Sequence, residues 1–397
     1  MSERASLPPL SGVRVVDLSQ GLSGPFSSLI LSDLGAEIIK VETRVGDIAR
    51  GWGPPFVNEG MSAYFYSINR NKKSVLLNLK MPKSREVFEK LLLTTDVLIE
   101  NFRPGVLKNL GYDWEKLHKK YPRLILLSIS GYGHSGPDSR NAAFDINIQA
   151  RSALMDITGD PHGGPTKIGI PLTDIGAGMY GAFAVSSGLF SRNVTDEGTW
   201  IDVAMFDTAI SWLTYWVTGY SVTKREMKRT GNAHNTLAPY QIFDTKDGQI
   251  SLGVTSNRLW TKFAKAVNRP DLIEDERFKT NATRVKYVDD VIKTVAAIIS
   301  GYSRNDIVEL LAKGGVPCAP VQSISDLVKD KQAIARNMML QMKEAVIPGT
   351  PLKFMGKDPR EMTEPPTLGS YTKQLVMDEL KFDETSYQRL LDEIEQN

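Results

Sequence analysis

The chain has 397 residues, 41% hydrophobic and 24% charged, with a net charge of +2. That length allows two domains or one large discontinuous one, and the near-neutral balance gives no general case for binding nucleic acid or a membrane. A single cysteine, Cys318, excludes an intrachain disulfide and a multi-cysteine metal site, and the scattered histidines (His118, His134, His162, His234) have no metal-ligand spacing, so no metal is expected.

In chain order, Val13–Asp17 reads as a strand, Pro25 suits the first turn of a helix, and Gly35 stops that helix after Leu34. Glu37–Val41 is the next strand, completing a strand–helix–strand unit of about thirty residues, the length of a parallel crossover. Ser74–Asn78, Val97–Glu100 and Leu124–Ile129 continue as strands, with helices at Ser84–Thr95 and Trp114–Tyr121. This alternation predicts an α/β domain with a mostly parallel sheet. Gly131–Pro137 reads as a flexible loop carrying His134, Phe144–Ile157 as a helix, and Gly159–Pro165 as a loop. Lys167–Ile170 reads as a short apolar strand, followed by a turn at Pro171 and a helix start at Thr173/Asp174. Gly198–Val203 is a strand and Asp207–Tyr220 a long amphipathic helix. Near Thr230 a smaller α/β unit begins, with strands at Pro239–Phe243, Gly248–Val254 and Val316–Val321 and helices at Leu259–Val267, Val288–Ile299 and Arg304–Lys313. A helix at Asp326–Arg336 and tail helices after Phe382 complete the chain. No apolar run reaches membrane-spanning length and Met1–Pro9 has no apolar signal core, so a soluble, cytoplasmic protein is expected.

The stretch Lys167–Gly181 carries the most chemistry. Asp174 lies at the mouth of its helix, where free amides and the helix dipole tolerate a carboxylate. An N-cap role and a functional role are both open on position alone. Gly176-x-Gly178-x-x-Gly181 matches a dinucleotide-binding fingerprint in letters, but the glycines fall inside the helix and not in the preceding turn. Ala177, Gly181, Ala184 and Gly188 instead make a small-residue stripe that lets another backbone approach. The loops that follow the strands are basic and glycine-bearing: Gln20–Ser23, Thr43–Arg50, Lys80 and Asn101–Gly105, joined by Asn69–Lys73. Ligands of open α/β sheets bind at such strand ends. Basic loops beside apolar turns suit a polyanion with an organic tail, a nucleotide or coenzyme A.

Seven segments, taken in order, resemble the family III CoA-transferases, the group of formyl-CoA transferase, carnitine CoA-transferase and α-methylacyl-CoA racemase. They are Leu10–Asp17, Asp33–Glu42, Asn69–Ser74, Glu100–Gly105, Ser130–Gly133 with Gly136-Pro137, Pro171–Asp174, and Pro239–Gly248. The resemblance covers nearly the whole chain. It implies that Asp174 is the nucleophile attacking an acyl-CoA thioester, through an aspartyl anhydride and then an aspartyl-CoA thioester. A carboxylate is ionised at neutral pH, and its anhydride is readily reopened by the released thiolate. The resemblance also implies CoA contacts at Gln20, Gly21, Leu22, Ser23, Arg44, Leu77, Lys80, Asn101, Phe102 and Arg103. Asn109 and Ala142 replace basic residues common in the family. Asp145 falls at an acidic position beside the nucleophile, with helix capping as its other reading.

Racemases of the group pair the aspartate with a histidine, and Phe144 stands there instead, so a CoA-transferase is expected over a 2-methylacyl-CoA racemase or a non-catalytic acyl-CoA binder. Arg50–Phe56, Asn69–Ser74 and Pro239–Gly248 look closest to transferases using succinyl-CoA and a dicarboxylate. A second carboxylate wants a cation in the acyl pocket, with Arg50, Arg70, Arg140 and Arg229 as candidates. CoA and acyl-CoA are then substrates, no cofactor is held tightly, and a small carboxylic acid is the other partner. The implied architecture has a Rossmann-like large domain and a smaller α/β domain in a ring-shaped chain, two of which interlock as a homodimer. Its expected boundaries are a large domain over 1–205 and 346–397, a small domain over 228–325, and linkers at 206–227 and 326–345.

Overall fold

The structure, a computed structural model, describes residues 7–58, 60–355 and 361–395. The first six residues, which enter the reading of a signal peptide, lie outside that range. Contacts divide the chain into two compact units, one of residues 1–154, 168–222 and 335–397, the other of residues 155–167 and 223–334.

The first unit is built on six strands: β1 (Arg14–Asp17), β2 (Glu37–Glu42), β3 (Lys72–Leu76), β4 (Val97–Glu100), β5 (Ile125–Ser130) and β6 (Trp200–Ala204). Their order is 3-2-1-4-5-6, and every pairing is parallel. That is the order of dinucleotide-binding sheets, with the strand order reversing beside β1, where a ligand crevice opens at the carboxyl ends. Central strands are apolar on both faces (Val15, Val16, Ile38, Ile39, Val97, Leu98 and Ile99 are all buried), as a sheet covered on both sides requires. Helices α1 (Ser23–Asp33), α2 (Ala63–Ile68), α3 (Pro82–Leu92), α4 (Val106–Asn109), α5 (Trp114–Lys120), α6 (Asp145–Arg151), α7 (Leu172–Thr195) and α8 (Met205–Ser211) follow in chain order. The returning tail closes the core with Leu375, Val376, Leu390 and Ile394.

α1 and α7 meet through small residues. A Cβ on Gly178 would stand 2.6 Å from the Ser23 carbonyl oxygen, and one on Gly181 would stand 3.1 Å from Ser27 Oγ. Gly178 and Gly181 of the false fingerprint therefore bring α1 against α7, while Gly176 makes room for Trp212.

The second unit has a three-stranded antiparallel sheet of β7 (Tyr240–Asp244), β8 (Gln249–Gly253) and β9 (Cys318–Pro320), with β8 central. Helices at Asn257–Ala266, Val288–Ile299 and Arg304–Lys313 pack on it around Trp260, Phe263 and Phe278. Among the described residues no helix is long and apolar enough to cross a membrane.

Four expected elements differ. Lys167–Ile170 is not a strand; the Ile168 amide donates to the Gln149 side chain (3.0 Å). The helix at Phe144–Ile157 ends at Arg151, because Ala153 takes a left-handed φ of 66°. Asp207–Tyr220 breaks into α8 and a helix at Thr214–Thr223, where Thr214 has φ 22°. Asp326–Arg336 is two short helices, the second started by Asp330, whose carboxylate accepts the Ala333 amide (2.9 Å).

Candidate active site

Asp174 stands in the first turn of α7, and the residue before that helix is Pro171, which offers no side-chain cap. Asp174 is thus not the N-cap. The bond comes from outside the helix: Asp145 Oδ1 accepts the Thr173 amide (2.9 Å) and the Thr173 hydroxyl (2.8 Å). Gln149 Nε2 donates to the other Asp145 oxygen at 2.6 Å, while Gln149 Oε1 takes the Ile168 amide. α6 therefore ties down both the approach to α7 and its first turn, and Asp145 puts a negative charge beside Asp174.

Burial pushes the Asp174 carboxyl up to about 7, and the Asp145 charge adds to the rise. Hydrogen bonds from the Ser23 hydroxyl and backbone pull the other way. At neutral pH the group is divided between acid and carboxylate, and not fully ionised as a free side chain is. The ionised fraction is the more basic and more nucleophilic for it. Asp145→Asn keeps an oxygen for Thr173 but removes the like charge. The acid limb of kcat/KM is expected to move to lower pH, with a modest fall in Tm from the disturbed Gln149 bond, both read from a pH–rate profile and a thermal melt. A limb that stays in place would show that Asp145 does not act on Asp174 electrostatically.

A cavity of about 290 Å³ opens onto Asp174 and is lined by Gln20, Leu22, Ser23, Asn101 and Phe102, all expected CoA contacts, and also by Ile48, Gly131, Ala143, Phe144 and Met205. Gly21 lies in the same turn, with its amide given to Asp47. The Asn101 side chain clamps that turn, accepting the Gln20 amide (2.9 Å) and donating to the Gln20 carbonyl (2.7 Å). No side chain caps α1 at Leu22, leaving its first-turn amides without an intrahelical acceptor. Such amides at a cavity mouth suit developing negative charge.

The remaining expected contacts lie off this cavity. Leu77 is buried in the core, so its backbone alone can meet a ligand. Arg44, Lys80 and Arg103 are exposed, and Arg44 donates to the Glu395 carbonyl (3.1 Å). Two candidate carboxylate readers are committed elsewhere. Arg50 is buried in a two-point pair with Glu42, at 2.8 Å for each bond. Arg70 is buried against Asp33 (2.6 Å) and the Pro348 carbonyl (2.9 Å). Arg229 belongs to the second unit, paired with Asp156 at 3.1 Å. Arg140 is exposed and makes no ion pair with the described residues.

Tyr64 escaped the sequence reading, as did the helix that carries it. Burial raises its hydroxyl pKa, and the negative charges of Asp174, Asp145 and Asp47 raise it further, which places the ring in the field of Asp174. Its edge meets Trp52 with centroids 5.0 Å apart. The only signal nearby was the Asn69–Lys73 run just after the helix. His134 is more firmly held than a flexible loop implies. Its amide donates to Asp202 (2.9 Å), and its ring packs on Trp200, 5.0 Å between centroids. Phe144, at the racemase histidine position, lines the cavity with no proton to exchange. Among the described residues no cluster of histidine, cysteine or carboxylate side chains is arranged to hold a metal.

Residues 10–372 match the family model described as CoA-transferase family III. The succinyl-CoA:glutarate CoA-transferase of Mus musculus is 36% identical over 396 residues, covering 98% of this chain and 91% of that protein. The succinate–glutarate CoA-transferase of Agrobacterium fabrum is 35% identical over 381 residues, covering 93% of this chain and 95% of that protein. A crystal structure of a CAIB/BAIF family protein from Brucella suis matches with a TM-score of 0.86 at 36% identity, covering 94% of this chain and 100% of that one. With the family model spanning most of the sequence and relatives matched along almost their whole length, the chain belongs to CoA-transferase family III and is an enzyme that transfers coenzyme A from CoA thioesters.

Proposed function

We propose that the protein moves CoA from succinyl-CoA to a second dicarboxylic acid such as glutarate, with Asp174 as the nucleophile. The observation that carries this reading is the Asp174 carboxyl itself, pushed up to about 7 at the wall of a cavity shared with the Gln20–Ser23 turn. The relatives named for succinyl and glutaryl exchange support the substrate class. An Asp174 oxygen attacks the thioester carbonyl and the CoA thiolate leaves, giving a mixed anhydride. The thiolate then attacks the aspartyl carbonyl, releasing succinate and leaving an aspartyl-CoA thioester. The acceptor carboxylate attacks that thioester, and the freed thiolate takes the new acyl group and regenerates Asp174. No net proton is gained or lost, so the site needs no permanent acid or base.

Gln20–Ser23, Asn101 and Phe102 hold the pantetheine in this reading, with Arg103 beside them, the Leu77 backbone and Lys80 lie on the adenine side, and Arg44 serves the phosphates. Arg140 is assigned the distal carboxylate of the acyl group, since its loop runs between Gly131 and Ala143, two cavity-lining residues. The expected assembly is an interlocked homodimer, and the exposed Phe183, Phe190 and Val194 of α7 are apolar surface suited to a second copy. The large domain is expected over 1–205 and 346–397 and the small one over 228–325, in a cytoplasmic enzyme. Incubation with succinyl-CoA, hydroxylamine trapping and mass spectrometry of the peptide spanning Asp174 tests the mechanism. A trapped aspartyl adduct is expected. CoA exchange proceeding at full rate with this peptide unmodified would overturn it.

A further inference from the structure

Side chains hold the turn Ser19–Ser23 almost bond by bond. The Gln20 amide and carbonyl are clamped by Asn101. The Ser19 carbonyl accepts Lys40 Nζ at 2.8 Å, and the Gly21 amide donates to Asp47 Oδ1 at 2.9 Å. Lys40 Nζ and Asp47 Oδ2 form an ion pair at 2.8 Å, and neither side chain has any exposure to solvent. Two residues beyond Gly21, Ser23 opens α1, packs its carbonyl against Gly178 of α7 and lines the same cavity as Asp174, whose carboxylate form its hydroxyl and backbone favour.

We propose that the buried Lys40–Asp47 pair positions this turn for catalysis, fixing the Ser19–Gly21 backbone and thereby holding Ser23 on the Asp174 carboxylate. The inference rests on Asp174 being the reacting group. The pair is sealed from solvent, so Lys40 and Asp47 are positioning residues and do not touch CoA or acid. A buried ion pair is a poor source of stability compared with an apolar pair of the same volume. An apolar pair, however, would leave the Ser19 carbonyl and the Gly21 amide without partners and free the turn to move. Gly21 is held at φ 73°, a conformation that most residues disfavour, so the tethers maintain a backbone shape that the chain does not adopt by default.

The titratable groups around the pair are Asp17, Glu42 and Lys72, and those facing Asp174 are Asp145 and the neutral Tyr64. None of these neighbours is changed by the test. The double variant Lys40→Met with Asp47→Leu removes both tethers and leaves no orphan charge. With Ser23 no longer held, Asp174 loses the bonds that favour its carboxylate. The acid limb of kcat/KM is expected to rise by about one pH unit, with activity on that limb about tenfold lower and activity well above it close to wild type. Loss by the same factor at every pH, or no change, would overturn the proposal.

Asp47→Ala serves as a second variant should the double one fail to fold. It leaves the Lys40 charge unpaired, which by electrostatics alone would drag the limb down. An upward shift therefore supports positioning, and a downward or absent shift overturns it. Arg192→Met, which breaks the pair of Arg192 and Asp96 (2.8 Å) at the far end of α7, is the stability control, expected to lower Tm without moving the limb. Adduct trapping on Asp174 separates the two ideas. An adduct with an unmoved limb sinks positioning alone, whereas exchange without an adduct sinks the nucleophile reading.

Discussion

Asp174→Ala is expected to cut CoA exchange by roughly 10⁴-fold or more, the scale seen when a covalent nucleophile is removed. The rest of the site stays in place. Asp145 bonds Thr173 and not Asp174, so the start of α7 keeps its cap. The Asn101 clamp on Gln20 is likewise untouched. Binding of CoA should survive, and the loss should fall on kcat. Stability should move the opposite way. The folded pKa of Asp174 is about 7 against an ordinary 3.8, so the native chain holds the proton through that interval and the unfolded chain does not. Stability therefore falls as pH rises from about 4 to about 7. Alanine removes this cost, giving a variant that melts above wild type at pH 8, with the gap closing toward pH 4. Thermal melts at both pH values, beside a succinyl-CoA exchange assay, check the two halves separately. Activity within tenfold of wild type would end the nucleophile assignment; a lower melting point at pH 8 would end the desolvation argument.

Much of the scaffold is legible because hydrophobic period is local. Val97–Glu100, Val288–Ile299 and Arg304–Lys313 are read to the residue, since each is a strong apolar run or amphipathic stripe with clean boundaries. What escapes is decided far along the chain or by single backbone angles. Nothing local marks the breaks at Ala153 and Thr214, where ordinary residues take positive φ. Lys167–Ile170 has the apolar composition of a strand, but a side chain, Gln149, takes the Ile168 amide. The positive run Asn69–Lys73 reads as a surface patch for a polyanion, yet Arg70 and Lys72 are buried because Asp33 and Asp17 lie opposite them. A buried cation and a solvated one look alike until the partner's position is known. The same blindness applies to Lys40, which sits mid-strand between apolar residues.

Arg50 shows the consequence most sharply, since the sequence offers it as a reader of substrate carboxylate. Arg50→Met is expected to cost about 3–5 kcal/mol of stability, the range for breaking one side of a buried ion pair. It is not expected to raise the KM for the dicarboxylate. The guanidinium donates to both Glu42 oxygens at 2.8 Å and to the Pro366 carbonyl at 3.2 Å, and it lies 3.8 Å over the Phe65 ring. Glu42 in turn accepts the Asp47 amide (2.9 Å) and the Ser74 hydroxyl (2.6 Å), so several chain segments converge on this pair. Burial pushes the Glu42 carboxyl up, but the Arg50 bonds and the Lys40 charge outweigh it and hold the group below its ordinary range. A depressed carboxylate stabilises the fold above its unfolded pKa, and that contribution is lost as pH falls through its folded value. Without Arg50 most of it is gone at every pH. The deficit of the variant should therefore be widest near neutrality and narrow in acid, where Glu42 is protonated in both proteins. Denaturant unfolding at pH 7 and at lower pH measures this, and adding Glu42→Gln to Arg50→Met should recover part of the loss by removing the orphan charge. An unchanged unfolding midpoint with a raised KM would return Arg50 to the acyl pocket.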